Sequence, residues 1–116
     1  MFKVYKDLGC QHKETVYQKA LQVALSKESL RIEKEKRLPV IFENTNVGTY
    51  IPDFLINEII IIETKAKRFI TKEDIQQFWH YLKSTDYKLG FLVNFGESSG
   101  VRIIRRVYDT SRNSSK

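Results

Sequence analysis

Cysteine and histidine are the scarcest functional residues in this 116-residue chain, which contains one cysteine and two histidines. A single cysteine, Cys10, excludes an internal disulfide and is typical of proteins in a reducing compartment. With only His12 and His80 beside it, a structural zinc site is not expected. We therefore expect an intracellular protein whose fold needs neither a disulfide bond nor zinc.

Long hydrophobic runs are also missing. No apolar segment approaches the roughly 20 residues that a membrane-spanning helix requires. The first residues, MFKVYKDLGC, contain no signal-peptide hydrophobic region, and the chain has no internal repeat, glycine-rich phosphate loop or nucleophile elbow. With 41% hydrophobic residues, we expect one globular domain over residues 1–108, followed by a disordered polar tail over residues 109–116.

Acidic residues are outnumbered by basic ones. The chain has 20 Lys and Arg against 14 Asp and Glu, a net charge of +6. This excess favours a polyanionic partner, most plausibly nucleic acid, which basic side chains bind through phosphate contacts. The basic residues form three groups, within 34–37, 65–68 and 102–106. Charge alone does not decide whether these groups surround one surface or cover three.

The apolar pattern predicts a helix, three strands, a second helix and two strands. The first helix covers residues 12–29, and a capping-box sequence, Thr71-Lys72-Glu73-Asp74, opens the second. This α-β-β-β-α-β-β order predicts an α+β domain, with one mixed sheet flanked by helices in a three-layer-like sandwich. The expected extended segments are 32–42, two within 51–65, 89–95 and 101–108.

The most informative segment is Ile51–Lys67, with the sequence IPDFLINEIIIIETKAK. Four consecutive isoleucines, Ile59–Ile62, predict a strand that ends in charge. Asp53 lies near the start of the preceding apolar run, and Glu63 and Lys65 follow the isoleucines. Because side chains alternate along a strand, Glu63 and Lys65 share one face.

Whether Asp53 joins that face depends on the turn between the two strands. A two-residue Asn57-Glu58 turn would place Asp53 and Glu63 on opposite faces of the sheet. A three-residue loop or a bulge would place them together. Asn-Glu is a poor two-residue turn because its second position lacks glycine. The pattern permits the co-facial arrangement and leaves both registers open.

Co-facial carboxylates would form a site for a hard cation. Mg²⁺ prefers oxygen ligands and is commonly held by one or two carboxylates together with water. Lys65 would point into the same site, where it could orient a water molecule or neutralise charge developing on a phosphate. The alternative is that these charges simply face solvent at the strand ends.

Several segments in combination resemble the GxxExxY proteins, a compact branch of the PD-(D/E)xK nuclease superfamily, over about residues 8–107. One position departs from that pattern, because Gln11 replaces the glycine three residues before the motif glutamate and Gly9 lies two positions earlier. The ten-residue step from Asp53 to Glu63 is typical of the family, so the resemblance implies the co-facial register. The matching segments are Glu14–Tyr17 (ExxY), Gly48–Asp53, Glu63–Lys65 (ExK), Gln77–Leu82 (QxxxYL) and Gly90–Gly96.

The resemblance implies a restriction-endonuclease-like core and a role for each motif residue. Asp53 and Glu63 would ligate Mg²⁺ or Mn²⁺, with the backbone carbonyl of Thr64 as a further ligand. Lys65 would position or polarise the attacking water. Two residues would reach the same site from the helices: Glu14 as an outer-shell partner or second-metal ligand, and Gln77 to orient Lys65 or contact the nucleic-acid backbone.

These residues predict a metal-dependent nuclease that hydrolyses phosphodiester bonds of nucleic acid, with DNA as the expected substrate. The alternative from another class is a nuclease-fold module that binds nucleic acid or a partner protein without cutting it. A homodimer that grips a duplex is compatible with the small size of the chain. No membrane partner is expected.

Overall fold

A computed structural model describes residues 1–108 of the chain. The elements follow the polarity pattern, with apolar side chains on one side of the longer helices and at consecutive positions of the central strands, as in the fully buried residues 54–56. In chain order they are α1 (Phe2–Leu8), α2 (Glu14–Ser26), β1 (Ile32–Lys34), β2 (Leu38–Phe42), β3 (Thr45–Tyr50), β4 (Phe54–Ile56), β5 (Ile60–Lys65), α3 (Lys72–Ser84), β6 (Leu89–Asn94) and β7 (Arg102–Val107).

Five strands form a mixed sheet in the order β1-β4-β5-β6-β7. Strands β5 and β6 are parallel, and the other neighbours in this sheet are antiparallel. A parallel pair needs a crossover connection, which α3 supplies between β5 and β6. Strands β2 and β3 pair only with each other, as a hairpin outside the main sheet.

The sheet is covered on both faces. Helices α1 and α2 pack on one face, which we call the α2 face, around Tyr17, Leu21, Phe54 and other buried apolar residues. Helix α3 and the base of the β2–β3 hairpin pack on the other, the α3 face, around Leu55, Phe78 and their neighbours. Burying both faces in apolar contact supplies the main driving force for folding.

The predicted α+β class and the mixed sheet flanked by helices are confirmed. The predicted element order was too short, because the chain has a further helix and two further strands. Helix α1 spans only 7 residues and is anchored by buried Val4, which is too little periodicity to detect in sequence. The segment 32–42 divides into β1 and β2 because Glu35 adopts a positive φ of 53° between them.

The turn entering the first predicted helix is made by Gly9, which ends α1 with a positive φ of 75°. Helix α2 begins at Glu14, inside the predicted range, and Thr71 and Asp74 form the predicted capping box of α3. No helix within residues 1–108 is long and apolar enough to cross a membrane. The predicted tail over residues 109–116 lies outside the described residues.

The loop between β4 and β5 has three residues, Asn57 to Ile59. Ile56 pairs with Ile60 and Phe54 with Ile62, so the numbers of opposing residues sum to an even value. Asn57 and Glu58 both adopt positive φ, 53° and 59°, and the amide of Ile59 donates to the carbonyl of Ile56 at 3.0 Å. This is the loop length that brings Asp53 and Glu63 to the same side of the sheet.

Candidate active site

Asp53 immediately precedes β4 and lies beside Glu63 of β5. The backbone N–H of Asp53 donates to Oε1 of Glu63 at 2.9 Å. Continuing the β4–β5 pairing by one residue beyond Phe54 and Ile62 places Asp53 opposite Glu63. The two acids are therefore neighbours across the strand pair, and a main-chain hydrogen bond fixes the Glu63 carboxylate.

The Asp53 side chain replaces a strand partner for Thr64. Oδ2 of Asp53 accepts from the backbone N–H of Thr64 at 2.7 Å and from its hydroxyl at 2.6 Å. On the other side of β5, the carbonyl of Lys65 accepts from the amide of Phe95 at 2.9 Å. Since the N–H and C=O of one strand residue point to the same side, the Thr64 carbonyl faces the Asp53 side.

Lys65 and Gln77 lie with Glu63 in the wall of a cleft of about 370 Å³. Lys65 comes from the same face of β5 as Glu63, and Gln77 comes from α3, which packs over that face. Of the five predicted catalytic residues, these three line the cleft, whereas Asp53 and Glu14 are not among its lining residues. The cleft is also lined by Thr49, Tyr50, Ile51, Asp74, Phe78, Tyr81 and Leu92.

The electrostatics of the cleft disfavour negative charge. Burial first, and then the Asp53 carboxylate, raise the pKa of Glu63 to about 8, although the Asp53 amide and Lys65 oppose the shift. The Tyr50 hydroxyl is buried and has no well-formed hydrogen bond among the described residues. Burial, followed by Glu63 and Asp53, raises the pKa of Tyr50 above its usual value. The site holds more carboxylate charge than its surroundings neutralise.

Glu14 approaches the acids from the first turn of α2. Desolvation of its carboxyl group, followed by Asp53, raises the pKa of Glu14, and Lys65 acts in the opposite direction. Oε2 of Glu14 also accepts from the Gln18 amide at 3.3 Å. Glu14 lies outside the lining of the cleft, and within residues 1–108 no three His, Cys, Asp or Glu side chains form a metal-binding group.

The remaining donor set fits one hard cation. Each acid uses one carboxylate oxygen in the hydrogen bonds described above, Oδ2 in Asp53 and Oε1 in Glu63. In both residues the second oxygen accepts none of these bonds. The Thr64 carbonyl faces the same side, and Mg²⁺ commonly combines one or two carboxylates with water. A cation would also relieve the burial of charge that raises the pKa of Glu63.

A buried amide that sequence reasoning missed fixes the chain after Lys65. Asn94, which is fully buried, accepts from the Lys67 amide at 2.9 Å and the Gly96 amide at 3.2 Å. It donates to the Lys67 carbonyl at 2.8 Å and to Oε2 of Glu97 at 2.9 Å. All four hydrogen-bonding positions of the side chain are used. Only its place at the end of a buried strand could have marked it.

Asp74 links this loop to α3 and was also missed as a site residue. Its carboxylate contacts the Lys67 ammonium at 2.7 Å and accepts from the Thr71 amide at 3.0 Å. Burial would raise the pKa of Asp74, but the hydrogen bonds from Lys67 and Thr71 outweigh it and lower the pKa to about 2. The ionised pair ties the end of β5 to the helix that carries Gln77. The capping-box sequence indicated Asp74 only as a helix cap.

Comparison with known proteins covers nearly the whole chain. A family model described as the PD-(D/E)XK nuclease superfamily matches residues 1–107. Among solved structures, the chain is similar to an alkaline exonuclease from Laribacter hongkongensis, with 11% sequence identity and a TM-score of 0.59. That match covers 87% of this chain and 59% of the exonuclease chain. A search of curated proteins found no match.

Proposed function

The chain belongs to the PD-(D/E)XK nuclease superfamily, and on that premise we propose that it is a metal-dependent nuclease that hydrolyses phosphodiester bonds of DNA. Members of this superfamily generally use divalent metal ions and act on nucleic acid. The observation that carries the proposal is the contact between Asp53 and Glu63 beside a cleft that also holds Lys65 and Gln77.

Asp53, Glu63 and the Thr64 carbonyl would hold one Mg²⁺ or Mn²⁺ ion. When bound, the ion supplies Lewis-acid stabilisation of charge on the phosphate oxygens. The donation from the Asp53 amide and the two donations from Thr64 limit the freedom of both carboxylates, so the ligands are oriented before the ion arrives. Glu14 lies further out and would act through its charge.

Lys65 and Gln77 would act on the water and the phosphate. The Lys65 ammonium shares a strand face with Glu63, so it can orient the attacking water and neutralise charge that develops on the phosphate. Gln77 offers an amide from the opposite wall of the cleft, where it can hold Lys65 or a phosphate oxygen. Both groups would act by position and charge.

The net charge of +6 favours a polyanionic substrate such as nucleic acid, and the incubation below decides between DNA and RNA. A homodimer and an intracellular location remain predictions, as does membership of the GxxExxY branch. The test is incubation of the full chain with single-stranded, linear duplex, circular duplex and RNA substrates in Mg²⁺, Mn²⁺ or EDTA. Cleavage of DNA that requires a divalent ion supports the proposal, and intact DNA in every metal contradicts it.

Variants test whether cleavage comes from this site or from a contaminating nuclease. Asp53→Ala should abolish cleavage, whereas Asp7→Ala, which changes an exposed acid paired only with Lys3, should leave it unchanged. Metal binding gives a second readout. At a hundredfold excess over its dissociation constant, Mn²⁺ should stabilise the wild-type protein by about 2.7 kcal/mol in thermal melts. An equal response in Asp53→Ala would show that the ion binds elsewhere.

A further inference from the structure

Two buried tyrosines, one on each face of the sheet, pack in the same way. Tyr17 on the α2 face is completely buried and stacks on Phe95, with ring centroids 4.8 Å apart and planes at 6°. Tyr50 on the α3 face is 5% exposed and stacks on Tyr81, with centroids 4.2 Å apart and planes at 5°. Each stack fixes its ring, so the fold determines where the two hydroxyls lie.

The Tyr17 hydroxyl makes its hydrogen bonds within the fold. It donates to the carbonyl of Gly9 at 2.5 Å and accepts from the amide of His12 at 3.1 Å. Both bonds hold the turn between α1 and α2. A buried hydroxyl that is satisfied by main-chain groups in this way has a structural role.

The Tyr50 hydroxyl differs, because its oxygen is buried and has no well-formed hydrogen bond within residues 1–108. Burying a hydroxyl without a partner opposes folding, since the group gives up water and gains nothing in exchange. A phenylalanine would stack on Tyr81 equally well and avoid this cost. The fold alone therefore does not account for the hydroxyl, and a functional partner is the alternative explanation.

The surroundings of Tyr50 place its hydroxyl beside the proposed metal site. Tyr50 lines the cleft together with Glu63, and it lies three residues before Asp53 at the end of β3. Burial, followed by the charges of Glu63 and Asp53 and by hydrogen bonding to Glu63, raises the pKa of Tyr50. Glu63 is thus the ionisable side chain that acts most strongly on this hydroxyl. The two groups are within reach of each other, although the bond between them is not well formed.

The Glu63 carboxylate has room for this donor. Its Oε1 accepts from the Asp53 amide at 2.9 Å. Two carboxylate oxygens offer about four lone-pair positions, so a cation and a second donor can be accommodated as well. Carboxylates that ligate metal ions are commonly hydrogen-bonded in turn, and these bonds orient them for the ion. A hydroxyl on a ring that is held by stacking is suited to this task.

We propose that Tyr50 is a positioning residue of the metal site, whose hydroxyl donates to the Glu63 carboxylate when that carboxylate ligates the ion. This inference rests on the proposed nuclease function and adds a residue that acts through Glu63. It predicts an unusual pair of effects for removal of the hydroxyl: weaker metal binding, without any loss of stability in EDTA.

The experiment uses Tyr50→Phe, which keeps the ring stacked on Tyr81 and removes only the hydroxyl. Isothermal titration with Mn²⁺, in the absence of DNA, should show a dissociation constant at least about tenfold above that of wild type. In EDTA the melting temperature should equal or exceed the wild-type value, because a buried hydroxyl without a partner has been removed. Cleavage should fall at low Mn²⁺ concentration, and saturating Mn²⁺ should restore the wild-type rate.

Tyr17→Phe is the matched control, since it removes a buried hydroxyl that is bonded within the fold. It should lower the melting temperature in EDTA and in Mn²⁺ alike and leave the dissociation constant for Mn²⁺ unchanged. An unchanged dissociation constant in Tyr50→Phe, or a lower melting temperature in EDTA as in Tyr17→Phe, would overturn the inference and leave the nuclease proposal intact. A wild-type protein that binds no Mn²⁺ would reject both.

Discussion

The two faces of the sheet use the same strands for different purposes. On the α2 face, Phe54, Ile62 and Val93 from three adjacent strands are all buried against the helices. On the α3 face, Ile61 is equally buried, but the next two residues of that strand face are Glu63 and Lys65. Strand β5 thus has one face that stays buried from Ile62 to Thr64 and one face that changes from core to charge within two residues.

This contrast indicates how a small domain tolerates a charged cleft. The α2 face buries an apolar cluster that includes Leu21 and Phe54 and none of the cleft-lining residues. The α3 face gives up part of its packing where Glu63 and Lys65 lie, and main-chain amides compensate part of the cost. Substitutions on the two faces should therefore separate stability from activity, as the following predictions specify.

The largest change in stability is expected on the α2 face. Leu21 is completely buried, so Leu21→Ala should lower the free energy of unfolding by about 2–5 kcal/mol. Gln77→Ala, on the helix of the opposite face, should change stability by less than about 0.5 kcal/mol and lower the rate of cleavage. Urea denaturation and single-turnover kinetics on both variants test this pair. A stability loss of similar size in Gln77→Ala would remove the distinction between the faces.

The next effect is a pH dependence of the metal-free protein. Because the folded-state pKa of Glu63 is about 8 and the usual value is 4.5, folding favours the protonated carboxyl group. The stability it contributes is complete below about pH 4.5 and is lost as the pH rises through about 8. In EDTA, wild type should lose on the order of a few kcal/mol between pH 5 and pH 8.

Glu63→Gln provides the control for that pH dependence, since the amide is uncharged at every pH. Its denaturation midpoint should fall much less between pH 5 and pH 8 than that of wild type. Saturating Mn²⁺ should also flatten the wild-type curve, because a bound cation favours the ionised carboxylate. Parallel curves for the two proteins in EDTA would mean that another group causes the loss.

On the α3 face, Lys65→Ala should reduce the single-turnover rate of cleavage about a hundredfold or more. This is the usual loss when one group that stabilises transition-state charge is removed. Its affinity for DNA should change little. Lys19→Ala, at an exposed position of α2, is the matched control and should leave the rate unchanged. Undiminished cleavage by Lys65→Ala would place the active site elsewhere.

The smallest effect concerns the salt dependence of DNA binding by two arginines of the edge strand β7. Arg102 pairs with Asn94, which pairs with Lys65, so it lies at the same end of the sheet as the site. By strand alternation it shares the α3 face with Ile104, whereas Arg105 lies on the α2 face. Arg102→Ala should reduce the slope of log affinity against log salt by about 0.9, one phosphate contact, and Arg105→Ala should not. Equal slopes in salt-titrated binding would exclude Arg102 from the interface.

The sequence predicted which charged residues lie on the α3 face, but not the strand register that brings Asp53 beside them. The shared face of Glu63 and Lys65 follows from strand alternation and needs no tertiary information. The register of Asp53 could not be read from the residues alone, because the positive φ angles of Asn57 and Glu58 are set by the folded loop. The resemblance to a nuclease family supplied the correct register.

Other parts of the site depend on contacts that no local pattern reports. Asn94 reads as one more residue of a buried strand. Its two hydrogen bonds with Lys67 form only when the chain after β5 packs beside the end of β6. The hairpin is similar, since β2 and β3 carry ordinary strand residues and pair outside the main sheet. Such features follow from tertiary packing, which overrides local propensity.

The three-residue loop from Asn57 to Ile59 has a consequence for how this chain tolerates insertions and deletions. Removing or adding a single residue there would shift every position of β4 against β5 by one and exchange the two faces of one strand. Asp53 would then separate from Glu63, and Phe54 would exchange the α2 face for the α3 face. A change of two residues would preserve both. The number of residues between Asp53 and Glu63 can therefore change by two, but not by one, without placing the two acids on opposite faces.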